Sequence, residues 1–195
     1  MKRGKFIVFE GVSGTGKETQ AKLLQNYLRV YHITSRIVFH PSSELKGILA
    51  EWRKERAIDE VTETYLLLAD RSSRVRQVII PVLEKGEWVI SLRNYVSALV
   101  YQGKTPRDRA WIAKEFLRFE PKTDFLFYFD ITPKDAMKRI LLRGEPLGKF
   151  ETLELLQEKR KKYRDVLKHI PHITTDANES IERIHHNIIS HLHIG

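Results

Sequence analysis

A glycine-rich segment near the start of the chain carries the residue types of a phosphate-binding loop. The segment reads GVSGTGKETQ and places Gly11, Gly16 and Lys17 at G-x-x-x-x-G-K spacing. The apolar run KFIVFE precedes it and an amphipathic stretch follows it, which is the strand–loop–helix context that this motif requires. Glycines let successive backbone N–H groups face an anion at a helix N-terminus, and Lys17 would reach the β- and γ-phosphates. The predicted phosphate-binding residues are Gly11, Ser13, Gly14, Thr15, Gly16, Lys17, Glu18 and Thr19.

The loop departs from the usual pattern at Glu18, where Ser or Thr normally supplies a hydroxyl to Mg²⁺. A carboxylate in the first turn of a helix is stabilised by roughly 0.3–1 kcal/mol by the helix dipole. It is also a hard oxygen ligand of the kind that Mg²⁺ prefers. The ending GKETQ, with Thr19, resembles the GKGTQ ending of adenylate-kinase-type loops, in which the residue after Lys also lacks a hydroxyl. We interpret the segment as a nucleotide-binding loop with Glu18 as the candidate metal ligand.

Five short apolar runs alternate with amphipathic stretches along the chain. The runs are KFIVFE (5–10), SRIVFH (35–40), EWVISL (87–92), DFLFYFD (124–130) and HITTD (172–176). Continuous hydrophobicity is typical of strands buried on both faces of a parallel sheet. Apolar residues recur at helical spacing in stretches 17–31, 59–86, 108–119, 133–144, 153–170 and 180–193. This alternation predicts a three-layer α/β fold with a parallel five-stranded sheet and ligands at the carboxyl ends of its strands.

Length and composition are those of an ordinary globular domain. A chain of 195 residues with 42% hydrophobic residues suits a single domain over 1–195. No apolar run approaches the roughly 20 residues that cross a bilayer. The short N-terminal run leads directly into the glycine-rich loop, which argues against a secretory signal. The chain has no cysteine, which excludes disulfides and thiolate metal sites. We expect a cytoplasmic protein without a membrane partner.

The formal net charge of +9 raises the question of nucleic-acid binding. The basic residues are interleaved with acids in helical stretches such as EWRKERAIDE and LQEKRKKYRD, and no nucleic-acid motif accompanies them. A pocket that holds two phosphorylated ligands would also need several fixed cations. We therefore expect no nucleic-acid partner.

Four histidines near the C-terminus could suggest a metal site. They are His185, His186, His191 and His193. The predicted terminal helix is amphipathic and has no cysteine, so the pattern favours a solvated helix face or a frayed end.

The segment ADRSSRVRQVIIPVLEKGEWVISLRNYVSALVYQG resembles the thymidylate (dTMP) kinase pattern ADR…V-I-P-L-G-W-V-I-S-D-R-Y…YQG. FIVFEG, YFDITPKDAMKRILLRG and TTDANESIE fit the same family in the same order, so the resemblance covers residues 5 to about 189. It implies that Arg71 faces the pyrimidine carbonyl and that Arg93 holds the acceptor monophosphate, for which a guanidinium fork is suited. It also implies that Tyr101 and Gln102 line the sugar and the base.

The resemblance further implies a P-loop NTPase fold with a short mobile lid at about 143–151, in RILLRGEPLGKFE. Arg139 is then an ATP contact and Arg143 a catalytic cation of the lid. In the family an arginine usually precedes an apolar residue and a glutamate in the lid, and here Lys149 stands before Phe150 and Glu151. A lysine can neutralise charge but cannot bind two oxygens at once as a guanidinium does. Lys17, Arg93, Arg143 and Lys149 are the predicted catalytic residues.

Four positions depart from the family pattern. Ser13 stands where the loop usually has a carboxylate, and Leu92 replaces the aspartate before Arg93. Leu67 replaces the aromatic residue that stacks on thymine, which predicts looser base choice, and Pro41 aligns where an arginine is expected. Phosphoryl transfer depends on positioning and charge neutralisation, so these losses weaken metal binding unless Glu18 compensates.

The resemblance implies ATP-dependent phosphorylation of dTMP to dTDP, with Mg²⁺ accompanying the ATP, by a homodimer. Two alternatives stay open at this point. One is a kinase for another pyrimidine monophosphate, and the other is a nucleotide-binding pseudokinase with little or no turnover.

Overall fold

One parallel sheet forms the centre of the computed structural model, which describes residues 3–55 and 58–194. The strands are β1 Phe6–Glu10, β2 Ser35–Phe39, β3 Trp88–Leu92, β4 Phe125–Asp130 and β5 Ile173–Asp176. Their order across the sheet is β2-β3-β1-β4-β5, and every neighbouring pair is parallel. All residues of β1 and β3 are buried, as the uninterrupted apolar runs predict. The predicted five-stranded parallel sheet is confirmed.

Helices cover the sheet and connect its strands. They are α1 Lys17–Val30, α2 Ser43–Glu55, α3 Glu60–Arg74, α4 Ile80–Glu84, α5 Tyr95–Tyr101, α6 Pro106–Leu117, α7 Pro133–Leu142, α8 Leu153–Leu167 and α9 Ile181–Ser190. A π-helical turn, Val75–Ile79, joins α3 to α4. The helical stretch predicted over 59–86 is therefore correct in type, and it contains a π turn before Pro81, which has no N–H to donate.

Helix α5 is absent from the sequence prediction, and α2 is predicted only at its end, in the stretch EWRKERAIDE. Helix α5 is short and almost entirely apolar, so it shows no amphipathic period. Helix α2 contains Gly47 and has only Leu45 and Leu49 buried, which leaves a weak pattern. The charged stretch EWRKERAIDE spans the end of α2 and the start of α3, and its residues 56 and 57 lie outside the described residues.

The strand register brings the loops after β1 and β3 together. Phe9 of β1 pairs with Leu92 of β3, so the residues that follow them, Glu10 and Arg93, leave adjacent strands side by side. The Arg93 N–H donates to the Phe9 carbonyl at 3.0 Å, which continues the strand pairing by one residue. Asn94 then caps α5, because its side chain accepts a hydrogen bond from the Val96 N–H at 2.9 Å. The carboxyl edge of the sheet is therefore where the predicted site residues gather.

The C-terminal histidines differ in part from the prediction of a solvated face. His186 and His193 are exposed, whereas His185 and His191 are half-buried. The His185 ring lies edge-on to Tyr27 with ring centroids 5.9 Å apart, and His191 packs in the same way on a phenylalanine of β4. These two rings therefore pack against aromatic side chains.

Within ranges 3–55 and 58–194, no helix combines the length and apolarity needed to cross a bilayer.

Candidate active site

The glycine-rich segment forms a tight loop between β1 and α1. Gly14 has φ of 79°, and a Cβ at this position would lie 2.5 Å from the Ala136 carbonyl oxygen. A side chain there would therefore be strained and would clash with backbone. The loop opens onto a cleft of about 280 Å³, which we call the loop cleft. Its wall includes Ser13, Gly14, Thr15, Gly16, Lys17, Glu18 and Arg93.

The Lys17 ammonium is folded into this loop. It donates to the carbonyl oxygens of Gly11 at 3.0 Å and Val12 at 2.6 Å, and to the Thr15 hydroxyl at 2.7 Å. Burial lowers the pKa of Lys17 well below its usual value, and the positive charge of Arg93 acts in the same direction. The loop is therefore a site where added negative charge, such as phosphate, would stabilise the ammonium.

Arg93 lies at the junction of two cavities. It lines the loop cleft and also a second cavity of about 330 Å³, which we call the inner cavity. Its Nη1 donates to the Ser97 hydroxyl and to the Tyr163 hydroxyl, both at 2.9 Å. Its guanidinium carbon is 5.2 Å from the centroid of the Tyr101 ring. The backbone of Arg93 has φ of 76°, a left-handed conformation that non-glycine residues adopt at a cost, often at functional sites.

Glu10, which is fully buried, fixes the segment that carries Arg93. One of its carboxylate oxygens accepts from the N–H groups of Asn94 at 2.8 Å and Ser97 at 3.2 Å. The other accepts from the Ser97 hydroxyl at 2.7 Å and the Tyr163 hydroxyl at 2.8 Å. Burial alone would lower the pKa of Arg93, but interactions with nearby tyrosines and Glu10 raise it overall. The guanidinium therefore stays charged over the ordinary pH range.

The inner cavity is bounded by α2, α3, α5 and the segment after α7. Leu67, Tyr101 and Gln102, which the resemblance assigns to the base and sugar, all lie on its wall. Glu63, buried one turn before Leu67, accepts a hydrogen bond from the Gln102 amide nitrogen at 3.0 Å. Arg53 of α2 also donates to the same Glu63 oxygen at 2.9 Å. The cavity thus combines apolar and aromatic walls with a few fixed polar groups, which is typical of a ligand site.

Arg71, which is predicted to face the pyrimidine carbonyl, contacts other protein side chains in the structure. Its side chain is fully buried and forms a two-pronged ion pair with Glu120, in which Nε donates to Oε2 at 2.9 Å. Its Nη1 donates to the Ser91 hydroxyl at 3.2 Å. The described wall of the inner cavity does not include Arg71. The reason is the carboxylate of Glu120, a partner 49 residues away that the ADR motif does not reveal.

The predicted lid contributes residues to both cavities. Arg143 lines the loop cleft, and its guanidinium pairs with Glu145 at 3.0 Å and with Glu151 at 2.9 Å. Lys149 lines the inner cavity instead, where its ammonium lies 3.4 Å from Glu63. Burial raises the pKa of Glu151, but hydrogen bonds from the Gly148 N–H, Arg143 and the loop residue Ser13 lower it overall. The segment predicted as a lid therefore contacts the loop through Glu151, whose carboxylate is hydrogen-bonded to Ser13, the position where the loop lacks its own acid.

The remaining predicted ATP contacts lie at the rim of the loop cleft. Glu18 is exposed in the first turn of α1 and lines the cleft. Thr19, also exposed, is not among the described residues of the cleft wall. Arg139 donates from Nη1 to the Ala177 carbonyl at 2.8 Å, which ties α7 to the loop after β5. Of the residues predicted to bind ATP or to act from the lid, the structure therefore brings together at the loop cleft the glycine-rich loop, Glu18 and Arg143.

Pro41 follows a cis peptide bond with His40, and both residues lie on the wall shared by the two cavities. Lys46 of α2 lies on the same shared wall and has an exposed side chain. It supplies a cation near the place where the sequence lacks the expected arginine. Leu92 lines the loop cleft as an apolar residue, so no acid precedes Arg93 there.

Sequence reasoning missed Lys46, Arg53, Glu63 and Glu151 as residues of the cavity walls. Lys46 belongs to the part of α2 that was not predicted, and Arg53 lies in EWRKERAIDE, which was predicted as a charged helical stretch and not as part of a cavity wall. Glu63 is an acid on the buried face of a helix, at i−4 from Leu67 and i−8 from Arg71, and this placement was the available signal. Glu151 was visible in the apolar-Glu pair of the lid, but nothing in the sequence places it next to Ser13.

Comparisons with known proteins agree with this geometry. The family model for thymidylate kinase matches residues 9–188. A probable thymidylate kinase of Pyrococcus horikoshii is 33% identical over 96% of this chain and 95% of its own length. The thymidylate kinase of Buchnera aphidicola subsp. Baizongia pistaciae is 33% identical over 96% of this chain and 93% of its own length. The thymidylate kinase of Desulfotalea psychrophila is also 33% identical, over 95% of this chain and 93% of its own length. The chain belongs to the thymidylate kinase family.

Proposed function

We propose that the protein transfers the γ-phosphoryl group of ATP to dTMP, giving dTDP and ADP. The observation that carries this proposal is the position of Arg93, a half-buried cation on the wall shared by the loop cleft and the inner cavity. A group bound in each cavity would meet at this guanidinium. The names of the relatives, which are thymidylate kinases, support the choice of dTMP as acceptor.

The loop cleft binds the triphosphate in this proposal. Phosphate oxygens replace the carbonyl and hydroxyl groups that Lys17 now contacts, and the loop amides hold the remaining oxygens. Arg93 holds the acceptor phosphate in line with the donor, and Arg143 approaches from the lid. Three cations then neutralise the charge that spreads over the transferring group, which is the main contribution a protein makes to this reaction.

The inner cavity binds the nucleoside of the acceptor. Tyr101 packs against the sugar, Leu67 forms an apolar wall for the base, and the Gln102 amide faces the base edge. Arg71 supports this wall from behind, because its ion pair with Glu120 holds α3 against the segment after α6. Glu120 and Ser91 take three of the five N–H donors of Arg71, so a base contact would have to use one of the remaining two.

The metal that accompanies ATP in this proposal is Mg²⁺. Among the described residues, no cluster of three or more acids and histidines forms a protein-built metal site. Magnesium commonly needs only one or two carboxylates when phosphate supplies other ligands. The exposed Glu18 carboxylate and the Ser13 hydroxyl line the loop cleft, so this donor set fits an ion that arrives with the phosphates. The ion would supply positive charge that neutralises the phosphates.

We extend the proposal to organisation and location. The chain forms one nucleotide kinase domain over 1–195, in which about 143–151 acts as the lid and Lys149 neutralises charge when the lid moves. Homodimerisation is supported by the exposed apolar side chains Val61, Tyr65 and Leu117 on the neighbouring helices α3 and α6. Tyr65→Glu should then yield a monomer in sedimentation analysis. The cytoplasm is the proposed location, because ATP and dTMP are both metabolites of that compartment.

A coupled ADP-release assay across a panel of nucleoside monophosphates tests the function. We expect dTMP to give the highest kcat/KM, with dTDP identified by chromatography as the product. Arg93→Gln should lower kcat/KM for dTMP by at least about 10²-fold, since a half-buried charge-assisted contact to phosphate is lost. Arg36→Gln removes an equal charge from an exposed position on β2 and serves as the control.

Two results would contradict the proposal. Preferred turnover of another monophosphate would identify a different pyrimidine kinase. Calorimetric binding of ATP and dTMP without any product at saturating Mg²⁺ would identify a pseudokinase. The metal assignment is tested separately with Glu18→Gln, which should raise the Mg²⁺ concentration needed for half-maximal rate, and an unchanged requirement would remove Glu18 from the site.

A further inference from the structure

A buried carboxylate controls one polar group on the wall of the inner cavity. The Glu63 side chain is only 4% exposed, and it lies beside Gln102, which is also buried and lines the cavity. The Gln102 Nε2 donates to Glu63 Oε1 at 3.0 Å. Residues 63 and 102 lie on α3 and at the end of α5, so the contact depends on the packing of two separate helices.

This contact determines which end of the amide is available to a ligand. A carboxylate only accepts hydrogen bonds, so the amide nitrogen of Gln102, and not its oxygen, must face Glu63. Exchanging the two ends would bring the Gln102 oxygen against the carboxylate, so that two acceptors would face each other without a proton between them. The amide oxygen is therefore the group of Gln102 that remains free to accept a hydrogen bond in the cavity.

Two cations keep Glu63 in its role as an acceptor. Arg53 donates to Oε1 at 2.9 Å, and Lys149 lies 3.4 Å from Oε2. Both cations are partly exposed, whereas Glu63 is not. The ionised form of Glu63 is thus paired on both oxygens, and the orientation of Gln102 follows from that form.

We propose that Glu63 is a positioning residue that sets base selection through Gln102. Its carboxylate holds the amide with the oxygen toward the ligand, so the site accepts pyrimidines that carry a ring N–H at position 3, namely thymine and uracil. Cytosine has no proton on N3, so its N3 and the Gln102 amide oxygen would face each other as two acceptors with no proton between them. The inference rests on the proposed function, since it concerns the base of the same acceptor.

This selection differs from selection by stacking. The apolar wall at Leu67 does not distinguish one pyrimidine face from another, and a pocket discriminates weakly against a single methyl group. A fixed hydrogen-bonding group discriminates strongly, because the wrong base leaves a buried polar group unpaired. The site should therefore tolerate dUMP beside dTMP and reject dCMP.

The test compares kcat/KM for dTMP, dUMP and dCMP in the wild type, Glu63→Gln, Gln102→Ala and the double variant. We expect the wild type to prefer dTMP over dCMP by about 10²-fold or more. In Glu63→Gln the new amide can donate to the Gln102 oxygen, so Gln102 can turn and present its N–H groups. The dTMP/dCMP ratio should then fall by at least about tenfold.

The double variant separates positioning from general damage. If Glu63 acts through Gln102, Glu63→Gln should leave the dTMP/dCMP ratio of Gln102→Ala unchanged. Release of Lys149 by Glu63→Gln could alter kcat, but it would alter it for every acceptor and cancel in the ratio. Glu60→Gln, an exposed acid three residues earlier on α3 that pairs with Lys104, is the matched control and should keep wild-type activity.

Several outcomes would overturn the inference. One is a Glu63→Gln variant that loses activity on dTMP and dCMP equally, and another is a wild type that prefers dCMP. If Glu63→Gln does not fold, Glu63→Asp keeps the charge, shortens the reach to Gln102 and gives the same readout. If the wild type turns over no acceptor, the proposed function fails, and calorimetric affinities for dTMP and dCMP in the same variants still decide the role of Glu63.

Discussion

The loop cleft takes its cation and its anion-binding backbone from residues 11–17, whereas the inner cavity takes its wall from α2, α3, α5 and the lid. In the loop, Lys17 contacts oxygens only two to six residues away. In the inner cavity, the contacts that orient Arg93 and Gln102 link residues far apart in sequence, such as Tyr163 and Glu10. The contacts of the loop cleft are thus local in sequence, whereas those of the inner cavity depend on how distant parts of the chain pack together.

This difference has an energetic consequence. A loop built mainly from backbone keeps its shape when one side chain is changed. Its variants should therefore lose catalytic rate while the free energy of unfolding stays close to that of the wild type. A cavity built from buried charges requires each charge to keep its partner, because an unpaired buried ion is costly. Variants behind the inner cavity should therefore lose stability as well as selectivity.

Lys17→Met should have the largest effect on catalysis. Turnover should fall by about 10³-fold, because the substituted side chain cannot neutralise the transferring phosphate. Stability should be unchanged or slightly higher, since burial already lowers the pKa of Lys17 and the ammonium is costly to bury. Steady-state rates and urea unfolding measure the two effects, with exposed Lys22→Met on the same helix as control. A rate within tenfold of the wild type would show that the loop does not hold the reacting phosphate.

Arg71→Leu should have the largest effect on stability. It leaves the Glu120 carboxylate, only 1% exposed, without its partner, at a cost of about 3–5 kcal/mol in the free energy of unfolding. Combining it with Glu120→Leu should recover most of that loss, since an apolar pair fills the same space. Urea unfolding of the single and double variants measures both values.

The control for Arg71 is its neighbour Arg74, whose ion pair with Glu44 is partly exposed at 3.8 Å. Arg74→Leu should cost less than about 1 kcal/mol. If Arg71→Leu were equally mild and lowered only the affinity for dTMP, Arg71 would be a base-contacting residue, as the motif alone predicts.

The same difference between local and distant contacts determines which features can be predicted from the sequence. The sheet and its parallel strands follow from contiguous patterns and are found as predicted, and the segment around Lys17 forms a loop between β1 and α1. Arg93 and Gln102 could be placed only because ordered motifs resemble a family. Their partners Glu10 and Glu63 could not be assigned, since each contact depends on how distant elements pack.

Arg71 shows the limit most clearly. Its motif predicts a residue that faces the base, but the same guanidinium geometry that suits a ligand also suits a buried carboxylate. The sequence around Arg71 contains no sign of Glu120, which lies beyond α6. Local composition cannot decide between these two partners.

Lys46→Gln tests the wall that the loop cleft and the inner cavity share. Lys46 is the exposed cation beside Pro41, so it should contact the acceptor phosphate as it enters. Its loss should raise the KM for dTMP by about tenfold with little change in kcat, because a single solvent-accessible charge contact is removed. Initial-rate kinetics with Lys54→Gln, exposed at the end of α2, as control measure the change. An equal effect of both variants would indicate general electrostatic attraction and not a specific contact.

Asp70→Asn should have the smallest effect, and its size should depend on pH. Burial raises the pKa of Asp70, but hydrogen bonds from His40 and Ser42 lower it from 3.8 to about 2 overall. An acid whose pKa is lower in the folded state stabilises the fold above its unfolded pKa, and this contribution is lost as the pH falls toward the folded pKa. The variant should therefore be less stable by about 1–2 kcal/mol at pH 7, allowing for the partial exposure of Asp70.

The difference between wild type and Asp70→Asn should shrink as the pH is lowered from about 5 to about 2, because both proteins then lack the charge. Urea unfolding at pH 7, 5, 4 and 3 measures it, and exposed Asp165→Asn on α8 is the control. Because Asp70 holds His40 on the wall shared by both cavities, the KM for dTMP should rise with the loss of stability. A stability difference that stays constant with pH would mean that the Asp70 charge does not support this wall, and that hydrogen bonding alone holds His40 in place.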